Sequence, residues 1–240
     1  MAEQIAPAIL VLISSIPIIL FLRNRDTDIK KYINLFTIYY ITYVVLIFLP
    51  VVYADFSISG STMNWTGKIL TIIFSFIFYF VTRNNLNGQD FISSTPSKGS
   101  NKKVLIVGLV AIGVMCTLTI LFSKSKPLNI EKLVYQLTMP GLDEELWRGI
   151  LLGFLVKILK NGEFKFGHPA IWITTAIFAL NHSIYFQNWE LGFALEAFIV
   201  TGALGFILGW MIFHSRSILP ALIFHNLINS STTFIEMFLL

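Results

Sequence analysis

The chain has 240 residues, of which 55% are hydrophobic and only 12% charged. Soluble domains carry about a quarter charged residues, so there are too few here to cover a surface in water. Disorder, a coiled coil and a soluble globule are excluded, and an integral membrane protein remains. The single cysteine, Cys116, excludes an intrachain disulfide and a cysteine-based metal site.

Six windows free of Asp, Glu, Lys and Arg are long enough to cross ~30 Å of hydrocarbon as helices. They are residues 4–22, 32–54, 104–123, 166–189, 197–215 and 217–235. The first lacks a basic leader and a small-residue cleavage site, so it reads as a permanent helix rather than a signal peptide. Residues 69–82 are shorter, but Trp65, Lys68, Tyr79 and Arg83 read as interfacial anchors that extend the span. Residues 84–103 read as a polar loop. Residues 127–140 read as a short interfacial helix, broken by Pro140-Gly141. A further span over 142–160 then opens with Asp143-Glu144-Glu145, where the helix dipole favours carboxylates. The expectation is an all-α polytopic protein of about eight transmembrane helices, forming one membrane domain over residues 1–240. Continuous apolar runs exclude a β-barrel.

The net charge of +4 does not indicate nucleic acid as a partner; the bilayer is the expected one. Twelve basic residues fall in alternate loops: Arg23, Arg25, Lys30, Lys31, Arg83, Lys98, Lys102, Lys103, Lys157, Lys160, Lys165 and Arg216. Lys68, Lys124, Lys126 and Lys132 fall on the other side. By the positive-inside rule both termini face outward.

Ionisable side chains inside a bilayer are costly unless paired or hydrated, which makes them functional candidates. Three clusters stand out. In Asp143-Glu144-Glu145-Leu146-Trp147-Arg148, Glu144 and Arg148 share a helix face, so an ion pair between them is expected. One arginine cannot neutralise three acids, and a leftover carboxylate suits general acid/base work. An interfacial acidic cluster at a helix start is the plainer alternative. Phe178 and His182 share a face of the sixth window, where a histidine can also serve as a packing hydrogen bond. His225 and Asn229 share a face of the last window, directed either into a cavity or against a neighbouring helix. His168, His214, Glu190, Glu196 and Glu236 lie near predicted helix ends and are weaker candidates.

In this order the three clusters resemble the CPBP family, the type II CAAX prenyl proteases and bacteriocin-processing (Abi) enzymes. That family shows Glu-Glu-x-x-x-Arg, Phe-x-x-x-His and His-x-x-x-Asn. The second and third motifs are complete as Phe178 to His182 and His225 to Asn229. The resemblance covers residues 130–232 as a catalytic core, and residues 1–125 carry no motif. The first motif departs: Glu144-Glu145 has only two residues before Arg148, whereas Asp143-Glu144 has three. A deletion within a helix rotates the remainder of that helix by about 100°, which favours Asp143-Glu144. The shorter reach of aspartate and the preceding Pro140-Gly141-Leu142 favour Glu144-Glu145. Glu144 belongs to both registers, with Asp143 and Glu145 as alternates for the second acid.

The resemblance implies an intramembrane endopeptidase of a multi-pass protein in the bacterial cytoplasmic membrane, acting on a membrane-associated or hydrophobic peptide. A first-motif carboxylate and His182 would activate water. His225 and Asn229 would donate to the oxyanion, and Arg148 would orient the second carboxylate. No cofactor is favoured. A zinc version would use Glu144, His182 and His225, but no His-Glu-x-x-His spacing supports it. The charge bias puts Glu144 and His182 toward the outer side, which argues against cytoplasmic prenyl-protein processing. Two other readings are a non-catalytic scaffold or bacteriocin-immunity protein and a small proton-coupled transporter. The transporter lacks an inverted repeat and paired broken helices.

Overall fold

A computed structural model describes residues 9–10, 12–13, 27–58, 61–86, 88–97, 99, 101–160, 167–187 and 190–240. Its long helices are α1 (Thr27–Val52), α2 (Trp65–Thr82), α3 (Asn101–Phe122), α4 (Ile130–Leu159), α5 (Pro169–Ser183), α6 (Leu195–Ser215) and α7 (Leu219–Phe238). An antiparallel hairpin of β1 (Ile184–Gln187) and β2 (Glu190–Phe193) follows α5, and the other elements among the described residues are helical.

Among the described residues, four helical stretches are long and apolar enough to cross a membrane: Ile29–Val52, Trp65–Leu86, Lys102–Phe122 and Leu195–Ser215. They take up the expected windows 32–54, 69–82, 104–123 and 197–215. The window 4–22 lies almost wholly outside the described residues. α3 is apolar on every side, and Leu109, Val110, Leu121 and Phe122 stand exposed on it. A helix of that kind is at home in lipid rather than water.

Two expectations need correction. The window 166–189 is not one span: α5 is 15 residues long and gives way to the hairpin at Ile184. The absence of charge marks burial or lipid contact but not helix, and Ile184-Tyr185-Phe186 suits a strand equally well. Nor does Pro140-Gly141 end a helix, because α4 runs unbroken for 30 residues with Pro140 inside it. The acidic cluster therefore lies mid-helix, and the helix-dipole account of it fails.

Asn226 of α7 explains how α4 tolerates its proline. The Gly141 N–H donates to Asn226 Oδ1 at 2.7 Å, and Asn226 Nδ2 donates to the Thr138 carbonyl at 3.3 Å. Proline disrupts the helical ladder around itself, and a side chain from a neighbouring helix here bonds a backbone N–H and a carbonyl on either side of it. The glycine lets α7 come this close. A Cβ at Gly141 would stand 2.4 Å from the Leu222 carbonyl oxygen and 2.7 Å from Asn226 Oδ1. Gly141→Ala is therefore expected to destabilise the fold by about 1–3 kcal/mol, read as a lower unfolding temperature in detergent.

α4 is the central element, buried almost continuously from Pro140 to Leu159. α1 and α2 pack on one side of it, and α5, α6 and α7 on the other. One apolar core extends from Ile29 of α1 to Phe224 of α7. Ser61 and Trp65 Nε1 donate to Glu131 at the start of α4, tying it to the head of α2. The acids of α4 thus sit at the junction of the two sides.

Candidate active site

Consecutive helical residues point about 100° apart, so the three acids of α4 face three different neighbours. Asp143 turns toward α1 and α2 and is wholly buried. Its carboxylate accepts from the Tyr43 hydroxyl at 2.6 Å, Thr71 Oγ1 at 2.6 Å and Lys68 Nζ at 2.8 Å. Glu145 turns toward α7 and is also wholly buried. It accepts from Arg148 Nε at 2.9 Å and lies 2.8 Å from His225 Nδ1. Glu144 lies between them and lines the cavity. Lys68 Nζ donates to its Oε1 at 2.7 Å, and its Oε2 is 3.6 Å from His225 Nε2.

The expected pair of Glu144 with Arg148 is not formed. Arg148 binds Glu145, three residues away, while Lys68 takes Glu144. The guanidinium lies over the Phe178 ring, 4.3 Å from its centroid, which draws it away from the cavity. Gly205 of α6 leaves room for this stack: a Cβ there would stand 3.0 Å from the Phe178 ring and 3.6 Å from Arg148 Nη1. In geometric terms Glu144 is the acid open to the cavity, Glu145 is the acid bound to arginine, and Asp143 is enclosed between helices.

His168 caps α5 by accepting from the Ala170 N–H, and His182 occupies the last turn before the hairpin. His182 Nδ1 lies 2.8 Å from the Phe178 carbonyl oxygen. A carbonyl can only accept, so Nδ1 carries a proton, and the tautomer with a lone pair places it on Nε2. Phe178 packs against His182 with centroids 4.3 Å apart, and His225 meets the same ring edge-on at 6.3 Å. One aromatic ring thereby supports both imidazoles and the arginine. His225 faces the ionised Glu145 through Nδ1, which must therefore donate, and this fixes the ring as carboxylates fix histidines elsewhere.

The cavity has two lobes that share Lys68, Glu144, Phe178 and His182. The larger, about 270 Å³, adds His225 and Asn229. The smaller, about 160 Å³, is walled by Val44, Ile47 and Phe48 of α1 and by Trp147. Glu144, His182, His225 and Asn229 are thus brought to one space from α4, α5 and α7. Asp143, Glu145 and Arg148 line neither lobe.

Lys68, Tyr43, Thr71 and Asn226 escape the motif reading. Lys68 reads as an interfacial anchor, yet it is 9% exposed and bridges two acids. A lysine placed just inside an apolar helix, in a chain with surplus intramembrane acid, is the signal that could have found it. Among the described residues, no three His, Cys, Asp or Glu side chains are arranged to hold a metal ion. Lys68 Nζ, 2.7 Å from Glu144, would put a positive charge beside any dication bound by Glu144, His182 and His225. The donor set therefore does not fit zinc as it stands.

Residues 127–231 match the family model described as type II CAAX prenyl endopeptidase Rce1-like. Over that stretch, a little under half of its length, the chain is similar to the type II CAAX prenyl endopeptidases. No curated protein and no solved structure matches the chain. The Rce1-like segment holds α4 to α7 through Asn229 and every motif residue; Lys68, Tyr43 and Thr71 lie before it. The match points to protease activity of the CAAX type, and with the apolar helices it makes the chain an integral membrane protein.

Proposed function

We propose that the chain is an intramembrane endopeptidase that hydrolyses a peptide bond in a membrane-associated or apolar peptide substrate. The observation that carries this reading is the gathering of Glu144, His182, His225 and Asn229 around one cavity. Amide hydrolysis needs a base for water, an acid for the departing amine and donors for the oxyanion. Glu144 and the Nε2 lone pair of His182 are the base pair for water. Attack on the carbonyl carbon breaks its π bond and puts negative charge on oxygen. The Asn229 amide N–H and, in the doubly protonated ring, His225 Nε2–H donate to that oxygen. The proton taken from water then passes to the amine nitrogen as the C–N bond breaks. Glu145 and Arg148 hold His225 in place.

The reaction is proposed to run without a metal, with Lys68 as the standing counter-charge of Glu144. Cleavage by purified protein is expected to survive a chelator that strips zinc. Loss restored by added zinc would overturn this part of the reading. The Rce1-like match makes a farnesylated CAAX-type peptide the first probe, beside an unprenylated apolar peptide pool. The charge-based argument against prenyl-protein processing rests on eight spans and on a separate interfacial helix over 127–140, which is instead continuous with α4. Hydrolysis of either probe, lost in Glu144→Ala and in His182→Ala, supports the reading. No cleavage of either would favour a scaffold, and proton-coupled flux in liposomes a transporter.

A further inference from the structure

Lys68, which lies outside the Rce1-like segment, reaches the cavity-facing acid directly. Lys68 Nζ lies 2.7 Å from Glu144 Oε1 and 2.8 Å from Asp143 Oδ2. We propose that Lys68 of α2 is a positioning residue of the active site, holding Glu144 ionised and turned so that Oε2 faces the attacking water. The proposal rests on the endopeptidase reading above.

Three features carry it. The first is charge. Asp143, Glu144 and Glu145 are consecutive, and Arg148, the arginine on the same helix, is already bound to Glu145. Without Lys68, Asp143 and Glu144 would be neighbouring anions in a medium that opposes even one, and a shared proton would be the outcome. A protonated Glu144 cannot accept a proton from water.

The second is rigidity. Asp143 receives Tyr43 from α1 and Thr71 from α2, in addition to Lys68. It is wholly buried and lines neither lobe. Asp143 is thus a fixed anchor for the ammonium, and the ammonium in turn fixes one oxygen of Glu144. The acid that the irregular first motif adds has its counterpart in a cation from the other half of the chain.

The third is location. Lys68 lines both lobes, at the boundary where α1 and α2 meet α4. The motif-free helices therefore complete the site rather than merely enclosing it.

The test uses full-length protein in detergent or bilayer with the reporter peptide, in a Cys116→Ser background. Lys68→Met is expected to lower kcat at least about tenfold, as loss of alignment at a reacting group does, with KM little changed. Lys68→Arg keeps the charge but not the shape and should fall between. Lys68→Cys should be as slow as Lys68→Met. Aminoethylation of that cysteine restores an ammonium near the original position and should restore kcat, whereas methylthiolation, which adds bulk without charge, should not. Rescue by the cation alone excludes a purely structural role, even if Lys68→Met folds poorly. Full kcat in Lys68→Met, or equal rescue by both reagents, overturns the proposal. Activity lost in Glu144→Gln but intact in Lys68→Met would defeat the proposal alone. Inactivity of every form, wild type included, would defeat the endopeptidase reading and this proposal with it.

Discussion

Glu144→Gln is expected to reduce cleavage by about 10²–10⁴-fold, the range in which a positioned proton-transfer group contributes. The change is nearly isosteric, so cavity shape and helix packing are kept. The amide still accepts from Lys68 through its oxygen, but it has no basic site for the proton of water. The loss should fall on kcat, because the carboxylate acts on water and not on the bound peptide. The unfolding temperature should move little, because Glu144 is the least enclosed of the three acids. Asp143→Asn, one residue earlier, is expected to behave differently. That carboxylate is enclosed by donors, so its loss should appear in stability as well as in rate. Equal rates for wild type and Glu144→Gln would remove Glu144 from the chemistry.

Arg148→Met is expected to have the largest effect on the fold, destabilising it by about 3–5 kcal/mol, as loss of one partner from a buried ion pair does. Arg148 and Glu145 are both wholly buried. Removing the guanidinium leaves a carboxylate without its cation in the core and takes away the group stacked on Phe178. His225 then shares an unneutralised acid, and its ring loses its fixed orientation. Adding Glu145→Gln to Arg148→Met should recover part of the stability, since the uncompensated charge goes with it. It should not recover cleavage, because His225 no longer has a charged partner at Nδ1. Thermal or denaturant unfolding in detergent, compared across the two single variants and the double, reads this directly. A double variant no more stable than Arg148→Met would mean that the pair is not what holds this part of the core.

How much of this was legible in the sequence differs between elements. The membrane class and the apolar helices were, since the bilayer demands long uncharged runs and the composition supplies them. The second and third motifs were also legible, because His182, His225 and Asn229 each sit four residues from a partner in a chain with little else polar. The partners of the acids were not. A spacing of three or four residues says which side chains can meet along one helix, so Glu144 with Arg148 was a fair expectation. It cannot weigh that partner against a lysine 76 positions away in the sequence. Pro140-Gly141 misled for a related reason: a helix breaker in isolation becomes tolerable when Asn226 from α7 bonds the backbone on either side of it. The window 166–189 misled because absence of charge is common to apolar helices and apolar hairpins.

The functional reading turns on one event: water, activated by Glu144 and His182 in a cavity within the helix bundle, splits a peptide bond. Cleavage by purified wild-type protein in heavy-oxygen water, with the products read by mass spectrometry, observes that event itself. The expected result is two fragments, one heavy oxygen in the new carboxyl terminus, and product from Glu144→Gln and His182→Ala at matched folding reduced about a hundredfold or more. Cleavage that persists undiminished in both variants, or no cleavage of any peptide by a folded wild type, would contradict it.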